Sequence, residues 1–128
     1  MKEEFLLLSK IKWVYSYSDK YIYPSFPKVF MTLKIELEKQ LLKLLELVYS
    51  ANYNRGSIRQ KYQREILVCV GMCDSLIGLI KDKKIITNKR FLAFTNALNE
   101  IRVLNIGWME SIEKGSFYNT TRKEAANI

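Results

Sequence analysis

Two short stretches of the chain concentrate positive charge. "NYNRGSIRQKYQR", residues 52–64, holds Arg55, Arg59, Lys61 and Arg64 and no acid. "KDKKIITNKR", residues 81–90, holds Lys81, Lys83, Lys84, Lys89 and Arg90 against Asp82 alone. Clustered lysine and arginine neutralise phosphates and release their condensed counterions, whatever the base sequence. Arg55, Arg59, Lys61, Arg64, Lys83, Lys84, Lys89 and Arg90 are therefore candidate nucleic-acid-binding residues. Charge runs often serve only solubility, but nine basic residues facing one acid exceed that need. Tyr53 and Tyr62 interleave with the first cluster, where they can stack on bases. Nothing in the pattern specifies a base sequence.

Other chemistry finds little support. The chain has no histidine, which removes imidazole bases and imidazole metal ligands. No Walker or dinucleotide glycine loop occurs, and neither H-E-x-x-H nor C-x-x-C is present. Glu36, Glu38 and Glu46 alternate with lysines as a solvated helix face does. No catalytic residue, metal site or cofactor is expected, and the chain is not expected to be an enzyme. Cys69 and Cys73 lie four apart in an apolar helical run, where a disulfide would be strained and a metal would lack further ligands. They are expected to be small buried apolar residues. With no signal segment and no apolar run of membrane-spanning length, a cytoplasmic location without membrane attachment is expected.

The elements that must carry these residues follow from composition and spacing. The 128 residues suit one domain, are 48% hydrophobic and 27% charged, and carry a net charge of +8. That imbalance favours polyanionic partners. Two prolines and five glycines leave room for long helices. Four helical segments separate, at about residues 3–21, 28–53, 57–83 and 88–114. The first carries Leu7, Ile11, Val14 and Tyr15, with Trp13, Tyr17 and Tyr21 as a second row. That aromatic row is expected to pack in a core or interface rather than to serve as a stacking platform for bases. The segment ends near "YIYPSFPK", where Pro24 and Pro27 oppose helix.

The second segment places Leu33, Leu37, Leu41, Leu44 and Val48 on one stripe, flanked by Leu42, Leu45 and Tyr49. The third places Tyr62, Ile66, Cys69, Cys73, Leu76 and Ile80 on another, with Ser57 as the expected N-cap. Gly71 and Gly78 share a face that a neighbouring helix can approach. The fourth, capped by Thr87, repeats Phe91, Phe94, Leu98, Ile101, Asn105, Trp108 and Ile112 at three- and four-residue steps. Short links between long amphipathic helices predict an all-α, antiparallel up-down-up-down four-helix bundle over residues 1–114. Residues 115–128 form an expected mobile polar tail.

The stretch "LIGLIKDKKIITNKRFLAFTNALNEIRVLNIGW", residues 76–108, resembles a bacterial four-helix bundle family. That family includes proteins encoded by 23S ribosomal RNA intervening sequences and the accessory variability determinant of diversity-generating retroelements. The shared pattern is an apolar helix ending in a basic turn, then Ile-Ile-Thr, an aromatic residue, spaced leucines, Glu100-Ile101 and Gly107-Trp108. "KWVYSYSDKY", "FPK" and "LLKLLELVYSAN" fit the family's first two helices. The resemblance implies a homopentameric barrel that binds RNA or DNA and associates with a reverse transcriptase during mutagenic retrohoming, in a bacterial or phage-infected cell. It also implies an alternative, a structural or interaction oligomer of the intervening-sequence kind without a nucleic-acid role.

"NEIRVLNIGW", residues 99–108, sets an asparagine in the apolar stripe and a glycine beside the largest side chain. A buried asparagine can fix register or oligomer state, and the glycine can admit a neighbouring helix. Asn105, Gly107, Trp108, Trp13 and Tyr17 are accordingly the expected packing and oligomer-contact residues.

Overall fold

Four apolar stripes at helical spacing can be hidden from water only against one another, and that requirement organises the chain. A computed structural model describes the backbone of residues 3–126 and the side chains of residues 5–111. It is all-helical, with no strand among the described residues: α1 is Glu3–Tyr17, α2 Met31–Tyr53, α3 Gly56–Asp82 and α4 Asn88–Ala126. α1 packs on α2, α2 on α3, α3 on α4, and α4 back on α1. None of the helices searched is long and apolar enough to cross a membrane.

The buried stripes are those the spacing marks. Leu7, Ile11 and Val14 of α1 meet Leu37, Leu41, Leu44 and Val48 of α2. Ile66, Cys69, Cys73, Leu76 and Ile80 of α3 and Phe94, Leu98, Ile101 and Trp108 of α4 complete the core. Each large side chain so buried contributes about 1.5–3 kcal/mol relative to exposure. Leu33, Tyr62 and Phe91 lie at its margin, and Ile112 lies outside the described side chains.

Polar contacts then set how the helices sit on one another. The Cys69 thiol donates to the Gln40 carbonyl at 3.3 Å and to Gln40 Oε1 at 3.2 Å, joining α3 to α2. Arg102 pairs with Asp74 between α4 and α3, and Lys10 with Glu100 between α1 and α4. Both pairs are partly solvated, so each is worth about 1 kcal/mol or less. Cys73 is wholly buried beside Cys69; that neighbour and burial together push its thiol well above the ordinary range. Cys69, bonded by Cys73 and with Lys43 near it, is shifted down.

Several local expectations change. The first helix does not run regularly to residue 21: α1 gives way to a π-helical turn at Ser18–Ile22, followed by 3-10 turns at Tyr23–Ser25 and Lys28–Phe30. The Ser18 hydroxyl, buried, donates to the Val14 carbonyl at 2.8 Å inside that widened turn. α2 therefore starts at Met31, after Pro27 has set an extended residue ahead of it. Ser57 is not the N-cap of α3; Arg55 holds that place in extended conformation, and Gly56 opens the helix at a φ of +60°. A side chain there would be strained, so glycine displaces the cap by two positions. The α4 backbone is helical to Ala126, past the expected end at 114. The expected tail, residues 115–128, lies outside the described side chains.

The glycine faces stand open within the chain. A methyl group built on Gly71, Gly78 or Gly107 would meet nothing within 4 Å. Among the described residues no helix approaches them closely. Trp13, expected in a core or an interface, is 46% exposed in the single chain.

Asn105, wholly buried, donates through Nδ2 to the Gln63 backbone carbonyl at 2.9 Å and so ties α4 to α3. Its Oδ1 has no partner among the described residues, and neither amide atom of the buried Gln63 side chain has one. Unsatisfied buried amides each cost about 1–3 kcal/mol. Gln63→Leu should therefore raise the free energy of unfolding by about 1–3 kcal/mol in a urea titration, whereas Asn105→Leu, which severs the bond to α3, should raise it less or lower it.

Candidate nucleic-acid interface

The basic turn between α3 and α4 is built by a helix stop. Lys84 takes a φ of +59°, the left-handed conformation that commonly ends helices. Its N–H donates to the Lys81 carbonyl at 2.8 Å, and the Ile85 N–H donates back to the Ile80 carbonyl at 3.3 Å. These two bonds form a Schellman stop, which drives Ile85 and Ile86 into the core. Thr87 then caps α4, its Oγ1 accepting the Arg90 N–H at 3.3 Å. With the isoleucines turned inward, Lys81, Lys83, Lys84 and Lys89 are left exposed. None of the four is in an ion pair among the described residues. The Lys81 ammonium lies over the Phe91 ring, 4.3 Å from its centre, and the Lys83 ammonium over Phe30 at 5.2 Å, so each charge is held against an aromatic face.

Arg90 is differently engaged. Its guanidinium donates to the Tyr21 carbonyl at 2.9 Å and the Ser25 hydroxyl at 3.4 Å, and it stacks over the Tyr21 ring at 5.7 Å. It braces the π-helical turn against the start of α4.

At the α2–α3 turn, Arg55, Lys61 and Arg64 are exposed. Arg59 folds back, donating from Nε to the Ala51 carbonyl at 2.8 Å and from Nη2 to the Asn52 carbonyl at 2.9 Å. It adds bonds to carbonyls of the last turn of α2 and lies over Trp108 at 5.6 Å. The structure thus brings Lys81, Lys83, Lys84, Lys89 and Arg90 into one cluster, and Arg55, Lys61 and Arg64 into another. It does not join the two: about 25 Å of α3 lies between Arg64 and Lys81. Tyr53, 81% exposed, flanks the α2–α3 cluster, while Tyr62 is half-buried under Lys61.

Sequence reasoning overlooked the cations outside these stretches. Lys10 lies over Trp13 at 5.3 Å and Lys20 over Tyr21 at 5.2 Å. The four-residue spacing of the aromatic row was the available signal, but the π-helical turn that positions Tyr21 leaves no mark in the residue pattern. Among the described residues no group of three or more Cys, Asp or Glu side chains is placed to hold a metal ion.

No family model, no curated protein and no solved structure matches this chain.

The roles of Arg59 and Lys84 can be separated from simple charge. Arg59→Ala should lower the free energy of unfolding by about 1–3 kcal/mol through the lost carbonyl bonds, while Arg64→Ala, exposed, should change it by less than about 0.5 kcal/mol. Lys84→Gly should raise stability by up to about 1 kcal/mol by relieving the left-handed residue. Chemical denaturation of the three variants checks all these signs.

Proposed function

We propose that this chain is a non-enzymatic accessory protein that holds RNA or DNA by its phosphate backbone and works beside a reverse transcriptase. The observation that carries the reading is the α3–α4 turn, where four exposed lysines, in no ion pair among the described residues, project around a buried pair of isoleucines. Such a cluster attracts phosphates. The stretch that carries it is also the stretch that resembles the accessory variability determinant of diversity-generating retroelements, and that resemblance supplies the reverse transcriptase as partner.

The proposed architecture is an antiparallel up-down-up-down four-helix bundle assembled as a homopentameric barrel. The order of helix contacts favours the bundle. Exposed Val68, Met72 and Leu79 on α3 and Val103 and Ile106 on α4 favour assembly, as do the open glycines among them. The same apolar faces support a second reading, a structural oligomer of the ribosomal intervening-sequence kind whose charge only solubilises it.

Salt dependence of binding separates the two. Under the first reading, affinity for a labelled RNA or duplex DNA falls steeply as salt rises, with a log–log slope of about −0.9 per phosphate contacted on B-DNA. A variant combining Lys83→Gln, Lys84→Gly and Lys89→Gln should flatten that slope by about two to three units on the duplex. Arg55→Gln, Lys61→Gln and Arg64→Gln, combined in a second variant, measure the share of the other cluster. An absence of binding at low salt overturns the first reading and leaves the second.

A further inference from the structure

Trp13, Tyr17 and Tyr21 recur every fourth residue along α1 and the turn that follows it. In a regular α-helix such residues drift steadily around the axis, because 3.6 residues complete a turn. The π-helical turn at Ser18–Ile22 takes more residues per turn and removes that drift. The result is a column of rings: Trp13 on Tyr17 with centres 5.1 Å apart and planes within 18°, then Tyr21 at 4.9 Å from Tyr17. The column spans about 12 Å. Trp13 is 46% exposed and Tyr21 38%, so it stands at the surface.

Beside it, two hollows mark the seam between α1 and α4. The larger, about 540 Å³, is lined by Tyr17, Tyr21, Thr87, Lys89, Arg90 and Ala93. The smaller, about 230 Å³, is lined by Leu6, Ser9, Lys10, Trp13 and Leu104. Charge at the two ends is unequal. At the Trp13 end Lys10 is already paired with Glu100. At the Tyr21 end stand Lys20, Lys89 and Arg90, and among the described residues the Arg90 guanidinium bonds to the neutral Tyr21 carbonyl and Ser25 hydroxyl. Asp19, also exposed, is the acid nearest to them in sequence.

Aromatic faces and edges beside unneutralised cations fit a ligand that is planar and anionic by turns. A nucleic-acid strand with unpaired bases has that chemistry, with bases for the rings and phosphates for the cations. A duplex does not, since its bases are already stacked inside. We propose that the α1–α4 seam is a site for single-stranded RNA or DNA. Bases pack in the hollow against Tyr17 and Tyr21 and beside Trp13, and the backbone runs over Lys20, Lys89 and Arg90. The proposal rests on the phosphate-binding reading above and adds to it a preference for unpaired strands.

Tryptophan emission gives the first test. The chain has two tryptophans, and Trp108 is 3% exposed, so a change on adding oligothymidylate to the wild-type protein reports chiefly on Trp13. The second test compares oligothymidylate with a blunt duplex of equal length, for the wild-type protein and two double variants. Tyr17→Leu with Tyr21→Leu should weaken oligothymidylate binding by about tenfold or more, the value of one or more stacked bases. Duplex binding should stay within about twofold, and Tyr17→Phe with Tyr21→Phe, which keeps the rings, should bind both as wild type does.

If both forms bind equally and Trp13 emission is unchanged, the phosphate-binding reading stands and the single-strand site is overturned. If neither form binds, both readings fall. If the leucine variant alters only the sedimentation of the protein and binds oligothymidylate normally, the seam is a contact between copies, and the site is overturned. The emission change in wild type does not depend on either variant folding.

Discussion

A short turn between two long helices has to bury two isoleucines and stop α3 in the same few residues. Ile85 and Ile86 can reach the core only if the backbone reverses at Lys84, and it reverses by entering the left-handed region. The Schellman bonds to Lys81 and Ile80 fix that reversal and set Thr87 where it caps α4. The placement of α4 against α3 and α1 therefore depends on this stop. So does the charge at this end of the molecule, since every turn residue not committed to the core is forced outward, and most of them are lysine.

Core positions were the most legible part of the sequence. Leu37, Leu41, Leu44 and Val48, or Ile66, Cys69, Cys73, Leu76 and Ile80, can be placed from spacing alone, because a helix buries one face and the residues on it must be apolar. Asn105 was legible as an exception to that pattern, and its bond to the Gln63 carbonyl gives the reason. Spacing carries no information about distance to a neighbour. Gly71, Gly78 and Gly107 suggest close helix approach, and among the described residues of the chain no helix supplies it. Nor does it reveal a change of helix type: the π-helical turn is held by the buried Ser18 hydroxyl and by the Arg90 bond to the Tyr21 carbonyl, which no spacing marks.

The candidate interface was legible in kind and incomplete in detail. Counting cations located both basic turns but treated all of them alike. Arg59 and Arg90 spend their guanidinium groups on backbone carbonyls, which a planar fork of donors does well. They are braces that carry charge, while Lys83, Lys84 and Lys89 are charges on flexible stems. Lys10 and Lys20 escaped notice because each lies outside the two basic runs and gains its setting only from the ring beside it.

The thiol pair on α3 has a practical consequence. Cys69 and Cys73 are the chain's two cysteines and are 2% and 0% exposed, with the Cys69 proton committed to Gln40. Toward a maleimide or another bulky electrophile, the folded protein behaves as though it had no cysteine. A single cysteine introduced at an exposed position such as Val68 or Lys84 can carry a fluorophore or spin label without first replacing the native pair.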